Sequence, residues 1–139
     1  MSFVIDASLT LAWYFEDEAT LETDKLLDRL AANGATVPML WRLEVGNAFQ
    51  MAIRRRRIDA IFRDAALAEL AAMPITVDPE TDMHAWGATL RISERFGLSL
   101  YDAAYLELAV RRNLPLASLD KELRAAGEAI GVPVLGGTP

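Results

Sequence analysis

The 139-residue chain contains no cysteine and a single histidine, His84. Without thiols there is neither a disulfide framework nor thiolate ligation, and one imidazole is too few for the usual zinc sites, so any bound metal must be held by oxygen. Long apolar runs are also missing, since no stretch approaches the roughly 18 consecutive apolar residues of a membrane span. The opening residues MSFVIDASLT carry no basic segment and their apolar run stops at Asp6. No signal peptide is therefore expected, and the chain is read as soluble and cytoplasmic, without a membrane partner. Positive charge is in deficit, 14 Lys and Arg against 20 Asp and Glu, for a net charge of −6. That balance weighs against simple electrostatic adhesion to nucleic acid, which usually rests on a basic surface. Most of the cations are arginine, and Arg54, Arg55, Arg56 and Arg57 form a run where bidentate guanidinium–phosphate pairing is available. The same run reads equally well as the dipole-matched C-terminal end of a helix.

What the chain does have is a 53% hydrophobic composition, enough for one compact domain over residues 1–139 that buries roughly two-thirds of its unfolded surface. Phe3 to Ile5 reads as a buried strand, followed by a short helix over Leu9 to Phe15 and a longer one over Ala19 to Ala32 that Asn33-Gly34 stops. Thr36-Val37 is a second strand. Pro38 opens a helix through Arg55 with Trp41, Val45, Ala48, Phe49 and Ala52 at steps of three and four, and Ile58 to Met73 is another helix. Pro74 breaks it, Ile75 to Val77 is a third strand, and one helix is expected from about Glu80 to Phe96, ended by Gly97. A helix over Leu100 to Asn113, a strand over Leu116 to Leu119, a helix over Lys121 to Ala129 and an edge strand over Val132 to Leu135 complete the order. Alternation of short apolar strands with helices implies a three-layer α/β/α sandwich around a mainly parallel sheet of four to five strands. Trp13, Tyr14, Phe15, Trp41, Phe49 and Trp86 are assigned to core or interface, and His84 to a helix surface.

In open parallel sheets, ligands bind beyond the carboxyl ends of the strands, and Asp6 and Asp120 both stand just after one. Each is also a natural N-cap for the helix that follows. Two further acids fall on apolar sides of helices, where charge is costly unless compensated. Glu44 follows Trp41 by three residues and is otherwise a rim glutamate paired with Arg42 or a nearby Gln or Arg. Asp102 shares a face with Tyr105, Leu106 and Ala109, and with Ser99 it fits a capping box. Taken together, the four suggest a cleft of mutually repelling carboxylates, an arrangement tolerated mainly when a divalent cation neutralises them. Mg2+ and Mn2+ are the natural occupants because they prefer oxygen ligands. Ser8 and Ser118, each two residues from an aspartate, can add hydroxyls, or serve as cap and turn residues.

The segments Val4-Ile5-Asp6-Ala7-Ser8, Trp41-Arg42-Leu43-Glu44-Val45-Gly46-Asn47-Ala48, Ser99-Leu100-Tyr101-Asp102-Ala103-Ala104-Tyr105-Leu106 and Leu116-Ala117-Ser118-Leu119-Asp120-Lys121-Glu122-Leu123 resemble, in this order, the acidic motifs of PIN-domain proteins. The resemblance covers essentially the whole chain, and at this size it is greatest to the VapC-type toxins of toxin–antitoxin pairs. It implies an endoribonuclease using Mg2+ or Mn2+, homodimeric, held inactive by a VapB-type antitoxin and acting on a tRNA, rRNA or mRNA substrate. Asp6, Glu44, Asp102 and Asp120 carry over as the acidic, metal-holding site, with Glu122 a peripheral acid. Ser118 stands where the family's last motif often has threonine, which preserves a hydroxyl. Arg42 and Arg54 to Arg57 are the expected RNA contacts. A receiver-like phosphoacceptor fits poorly, because one aspartate rather than an acidic pair follows the first strand. A haloacid-dehalogenase-like phosphatase fits no better, because Asp6-Ala7-Ser8 lacks the second aspartate. A PIN-like fold used only for binding is the non-enzymatic alternative.

Overall fold

The computed structural model describes residues 2–137, and residues 1, 138 and 139 lie outside the described residues. The chain runs β1 (Phe3–Ile5), α1 (Ala7–Ala12), α2 (Leu21–Asn33), β2 (Ala35–Val37), α3 (Trp41–Arg54), α4 (Ala60–Ala72) and β3 (Ile75–Val77). It continues through α5 (Thr81–His84), α6 (Ala88–Phe96), α7 (Leu100–Arg112), β4 (Leu116–Ala117), α8 (Lys121–Ile130) and β5 (Val134–Leu135). All strand pairings are parallel and the order is β3-β2-β1-β4-β5, with Val4 level with Thr36 on one side and Leu116 on the other. Phe3, Val4 and Ile5 are fully buried, as a central strand covered on both faces requires, which is why the run is uniformly apolar rather than alternating. Right-handed crossovers put α1 to α4 on one face and α5 to α8 on the other, completing the expected α/β/α sandwich. Strand order reverses between β1 and β4, so a crevice opens above their carboxyl ends.

Local chemistry sets most boundaries. Thr20 and Thr23 form a reciprocal capping box that starts α2, and Gly34 ends it at φ +76°, where a Cβ would come within 3.0 Å of the Pro74 carbonyl oxygen. Asp59 caps α4 through the Phe62 N–H, so that helix begins at Ala60 rather than Ile58. α3 starts at Trp41, three residues later than Pro38, and its indole N–H donates to the Thr10 hydroxyl at 3.0 Å, locking α3 to α1. The last strand is confined to Val134–Leu135 but does lie at the sheet edge, directly after Pro133.

The single helix expected from Glu80 to Phe96 is two. It breaks at residues 85–87, where Gly87 takes φ −108° and ψ −107°, outside the helical basin and cheapest for a residue without Cβ. Trp86 is 89% exposed rather than core, so no packing holds the break helical.

A third strand-end aspartate, Asp78, is fully buried and spoken for. It accepts from Arg111 Nη1 and Nη2 at 3.2 and 2.6 Å and from Arg112 Nη2 at 2.7 Å, while Arg111 Nε also donates to Glu107 at 2.8 Å. Burial alone would raise the Asp78 carboxyl, but the hydrogen bonds and charges of Arg111 and Arg112 outweigh it and hold it below the usual carboxylate range. A group depressed in this way stabilises the fold above its unfolded pKa and loses that contribution as pH falls through the folded value. Asp78→Ala is expected to cost about 2–3 kcal/mol at pH 7, less than a fully buried pair because both arginines keep solvent contact. Urea titrations should show the gap to wild type closing below about pH 4. An equal gap at pH 3 and pH 7 would show that the ion pairs contribute nothing.

Candidate active site

β1 delivers Asp6 to the crevice, and the backbone then turns into α1. Asp6 is the N-cap of α1, with Oδ1 accepting from the Leu9 N–H at 2.9 Å. The Ser8 hydroxyl lies 2.8 and 2.9 Å from its two carboxylate oxygens, and the Ser118 hydroxyl donates to Oδ2 at 2.5 Å. Ser118, fully buried just past β4, accepts in turn from the Asp120 N–H at 3.0 Å, while Ser8 accepts from the Leu119 N–H at 3.1 Å. Asp120 caps α8 through the Leu123 N–H at 3.0 Å. β4 ends at Ala117, so Ser118 and Leu119 belong to the loop that carries Asp120 rather than to the strand. Arg124 pins this loop, donating to the carbonyls of Ser118, Leu135 and Gly137 at 2.8, 2.9 and 2.6 Å. Both aspartates are thus helix caps and rim carboxylates at once, joined by two serines.

The other acids arrive on first turns of helices from opposite layers. Ser99 caps α7 by accepting the Asp102 N–H at 3.1 Å, the expected capping contact. Glu44, in the first turn of α3, is not paired with Arg42; its Oε1 accepts from the Tyr105 hydroxyl at 2.5 Å. Tyr105 is the residue that sequence reading passed over, placing it only on the face of Asp102. Its spacing of three from Asp102 was the available signal.

Burial pushes Asp6 up to about 6, the Asp102 charge adding to this and the hydrogen bonds from Ser118, Leu9 and Ser8 opposing it. Glu44 is raised by burial and by the charge of Asp102, against the Tyr105 hydrogen bond. Asp102 is raised by burial and by Asp120, with Glu122 adding a smaller effect and Ser99 opposing. The Tyr105 phenol is pushed far above its ordinary range by burial, then by its bond to Glu44 and the charges of Glu44, Asp6 and Asp102. These couplings place the four acids within electrostatic reach of one another. Among the described residues none of the four enters an ion pair, and no group of three acids is drawn tightly enough to hold a metal ion as it stands. The site is an open rim of hard oxygen donors rather than a closed cage, and such donors suit Mg2+ or Mn2+ and not softer ions.

The arginines fall elsewhere. Arg42 is exposed and lines an apolar groove with Trp41, Val45, Leu67, Leu70 and Met73. Arg54 ends α3, ten residues from Glu44 and so about 15 Å along the axis, and Arg55 to Arg57 follow it. Arg57 pairs with Asp17 at 2.9 Å and covers the Phe15 ring at 4.4 Å. The run therefore terminates a helix and is not gathered with the acids.

Comparison with known proteins gives the same answer as the geometry, for the PIN domain family matches residues 3–129. The chain belongs to the PIN domain family. Ribonuclease VapC1 of Mycobacterium tuberculosis, in two strains, is 28% identical to it over 130 residues, covering 79% of this chain and 91% of that protein. Among solved structures, PAE2754 from Pyrobaculum aerophilum superposes with a TM-score of 0.68 at 26% identity, covering 96% of this chain and 83% of its own. VapBC2 from Rickettsia felis, bound to a DNA fragment from its promoter, gives 0.66 at 10% identity over 98% of both chains. A toxin–antitoxin complex from Klebsiella pneumoniae gives 0.60 at 15% identity over 96% of both. The last two support the fold alone.

The raised Asp6 carboxyl of this PIN domain makes a pH prediction. Between its ordinary pKa of about 3.9 in the unfolded chain and about 6 in the fold, the folded state holds a proton that the unfolded state does not. Stability in EDTA should therefore rise as pH falls from 7 to 5. Asp6→Asn, which can still cap α1, should flatten much of that slope and melt higher than wild type at pH 7. Thermal melts across this range check it, and a wild-type melting temperature that falls toward pH 5 would contradict it.

Proposed function

We propose that this chain is a single PIN domain acting as a Mg2+- or Mn2+-dependent endoribonuclease, the toxin of a VapBC-type pair. The observation that carries the reading is the acidic rim: four carboxylates from separate elements, three of them with pKa raised by burial and by one another's charge, none neutralised by a cation of the described protein. The relatives named ribonuclease VapC1 point the same way. Asp6, Asp102 and Asp120 would hold the ion, with Glu44 acting through a water. An open rim suits Mg2+, which keeps several waters and takes one or two carboxylates directly. When bound, such an ion supplies a water of lowered pKa and polarises the phosphate oxygens.

The chain's own contribution is orientation. Ser8, Ser118 and the Leu9 N–H fix the Asp6 carboxylate, Arg124 fixes the loop bearing Ser118 and Asp120, and Glu44 orients the attacking water. Direct attack by water leaves a 5′-phosphate and a 3′-hydroxyl. Single-stranded or looped RNA is the substrate class, because its phosphates and bases are open to a shallow rim. Arg42, which points to a different side of α3 from Glu44, and Arg54 to Arg57, at the far end of that helix, would touch RNA only away from the scissile bond. Purified protein should cut a labelled tRNA and rRNA pool with Mg2+ or Mn2+ and not with EDTA. Asp6→Asn or Asp102→Asn should lower the rate by more than the roughly 10–100-fold that loss of an outer-shell partner costs. Protein that binds no divalent ion by calorimetry would sink this reading in favour of an inert PIN-like binding module.

The partners in this reading are a VapB-type antitoxin and a second copy of the chain. Met39, Leu43, Met83, Trp86, Leu90 and Tyr101 are exposed apolar residues, several lining one groove between the starts of α3 and α7 and the α5–α6 region. Light scattering should find a dimer that Trp86→Glu converts to monomer without lowering helix content. A wild-type monomer at 100 µM (a concentration on the order of that needed to populate a weak micromolar dimer) would remove the second copy from the account.

A further inference from the structure

The bond between Tyr105 and Glu44 crosses the molecule. Glu44 belongs to α3 on one face of the sheet and Tyr105 to α7 on the other, 61 residues later, and the bond joins the first turn of α3 to the second turn of α7. Tyr105 is 1% exposed, so its ring is held on all sides, and its hydroxyl has one proton to give. That proton goes to Glu44 Oε1 at 2.5 Å, the length of a strong O–H···O− bond. One carboxylate oxygen is thereby engaged and the other, Oε2, keeps its lone pairs for something else. The choice of donor matters. Arginine or lysine at this place would orient Glu44 but cancel its charge, as Arg111 and Arg112 do to Asp78 on the same rim. A phenol orients the carboxylate and leaves the charge intact.

We propose that Tyr105 is a positioning residue of the active site, fixing Glu44 in one orientation across the two helical layers while leaving it charged for the ion and its water. The inference rests on the ribonuclease reading and goes beyond it in naming what holds the one acid that neither caps a helix nor touches a serine. Its consequence is that the phenolic oxygen acts through Glu44 and through nothing else.

The test is Tyr105→Phe, which keeps the ring and removes one oxygen, measured beside wild type, Glu44→Gln and the double variant. Circular dichroism and melting in EDTA establish that each variant folds. Mn2+ affinity, read by electron paramagnetic resonance without any RNA, should weaken measurably in Tyr105→Phe, by no more than the roughly 10–100-fold that loss of an outer-shell partner costs. Single-turnover cleavage should fall by a comparable factor in kcat with KM little changed. In the Glu44→Gln background, Tyr105→Phe should add nothing to either readout. Wild-type affinity and kcat in Tyr105→Phe would overturn the proposal, leaving Tyr105 as packing. Additive losses in the double variant would overturn it too, because the hydroxyl would then act by another route. Wild-type protein that neither binds Mn2+ nor cuts RNA would instead remove the ribonuclease reading, and this proposal with it.

Discussion

The Asp6 carboxylate is the point at which the sheet, two helices and the candidate chemistry are tied together. It is 5% exposed, yet it is met by the Leu9 N–H, the Ser8 hydroxyl and the Ser118 hydroxyl. Its backbone takes part as well, the N–H donating to Ala117 and the carbonyl accepting from Thr10, whose hydroxyl also receives the Trp41 indole. One residue thus fixes the start of α1, the spacing of β1 and β4, and, through Thr10, the seat of α3. A buried carboxylate tolerates that position only because donors surround it. Those donors come from chain segments more than a hundred residues apart, so the rim exists only when the whole sheet has closed.

The architecture was legible because its signals are local. Short runs of apolar and β-branched residues, Gly34 after Asn33, Pro74 and Gly97 are each decided within a few residues, and from them follow the element order and the parallel sheet. The misplaced boundaries have a common origin. Asp6 and Asp59 act as caps whose partners lie three residues ahead, and each moves a helix start by two residues from where apolar spacing puts it. The break at residues 85–87 was hidden because Trp86 looks like a core residue by type. Only its exposure in the fold shows otherwise, and that is a tertiary fact.

For the site, sequence reading and structure divide along the same line. Asp6 and Asp120 were singled out because each stands just after a strand, where position alone suggests a rim, and Glu44 and Asp102 because each sits on the apolar side of a helix. Boundary position does not discriminate, however. Asp78 follows a strand just as Asp6 does, and its carboxylate is consumed by Arg111 and Arg112 from the far end of α7. Nothing in the residues next to Asp78 announces that fate. The reverse error attaches to Arg54 to Arg57, conspicuous as a run and yet carried to the opposite end of α3 from Glu44. Tyr105 escaped notice because its partner lies in the other layer.

The double duty of Asp6 and Asp120 has an evolutionary corollary. On the ribonuclease reading, a descendant that lost the activity would still need both residues, or asparagine in their place, to start α1 and α8, so selection for folding would go on guarding them. Glu44 starts nothing. Released from catalysis, it would leave only a phenol to rebury, and it would be free to drift. In a set of related chains, the identity of the residue at this one position of α3, more than the survival of the aspartates, would separate working lineages from silent ones.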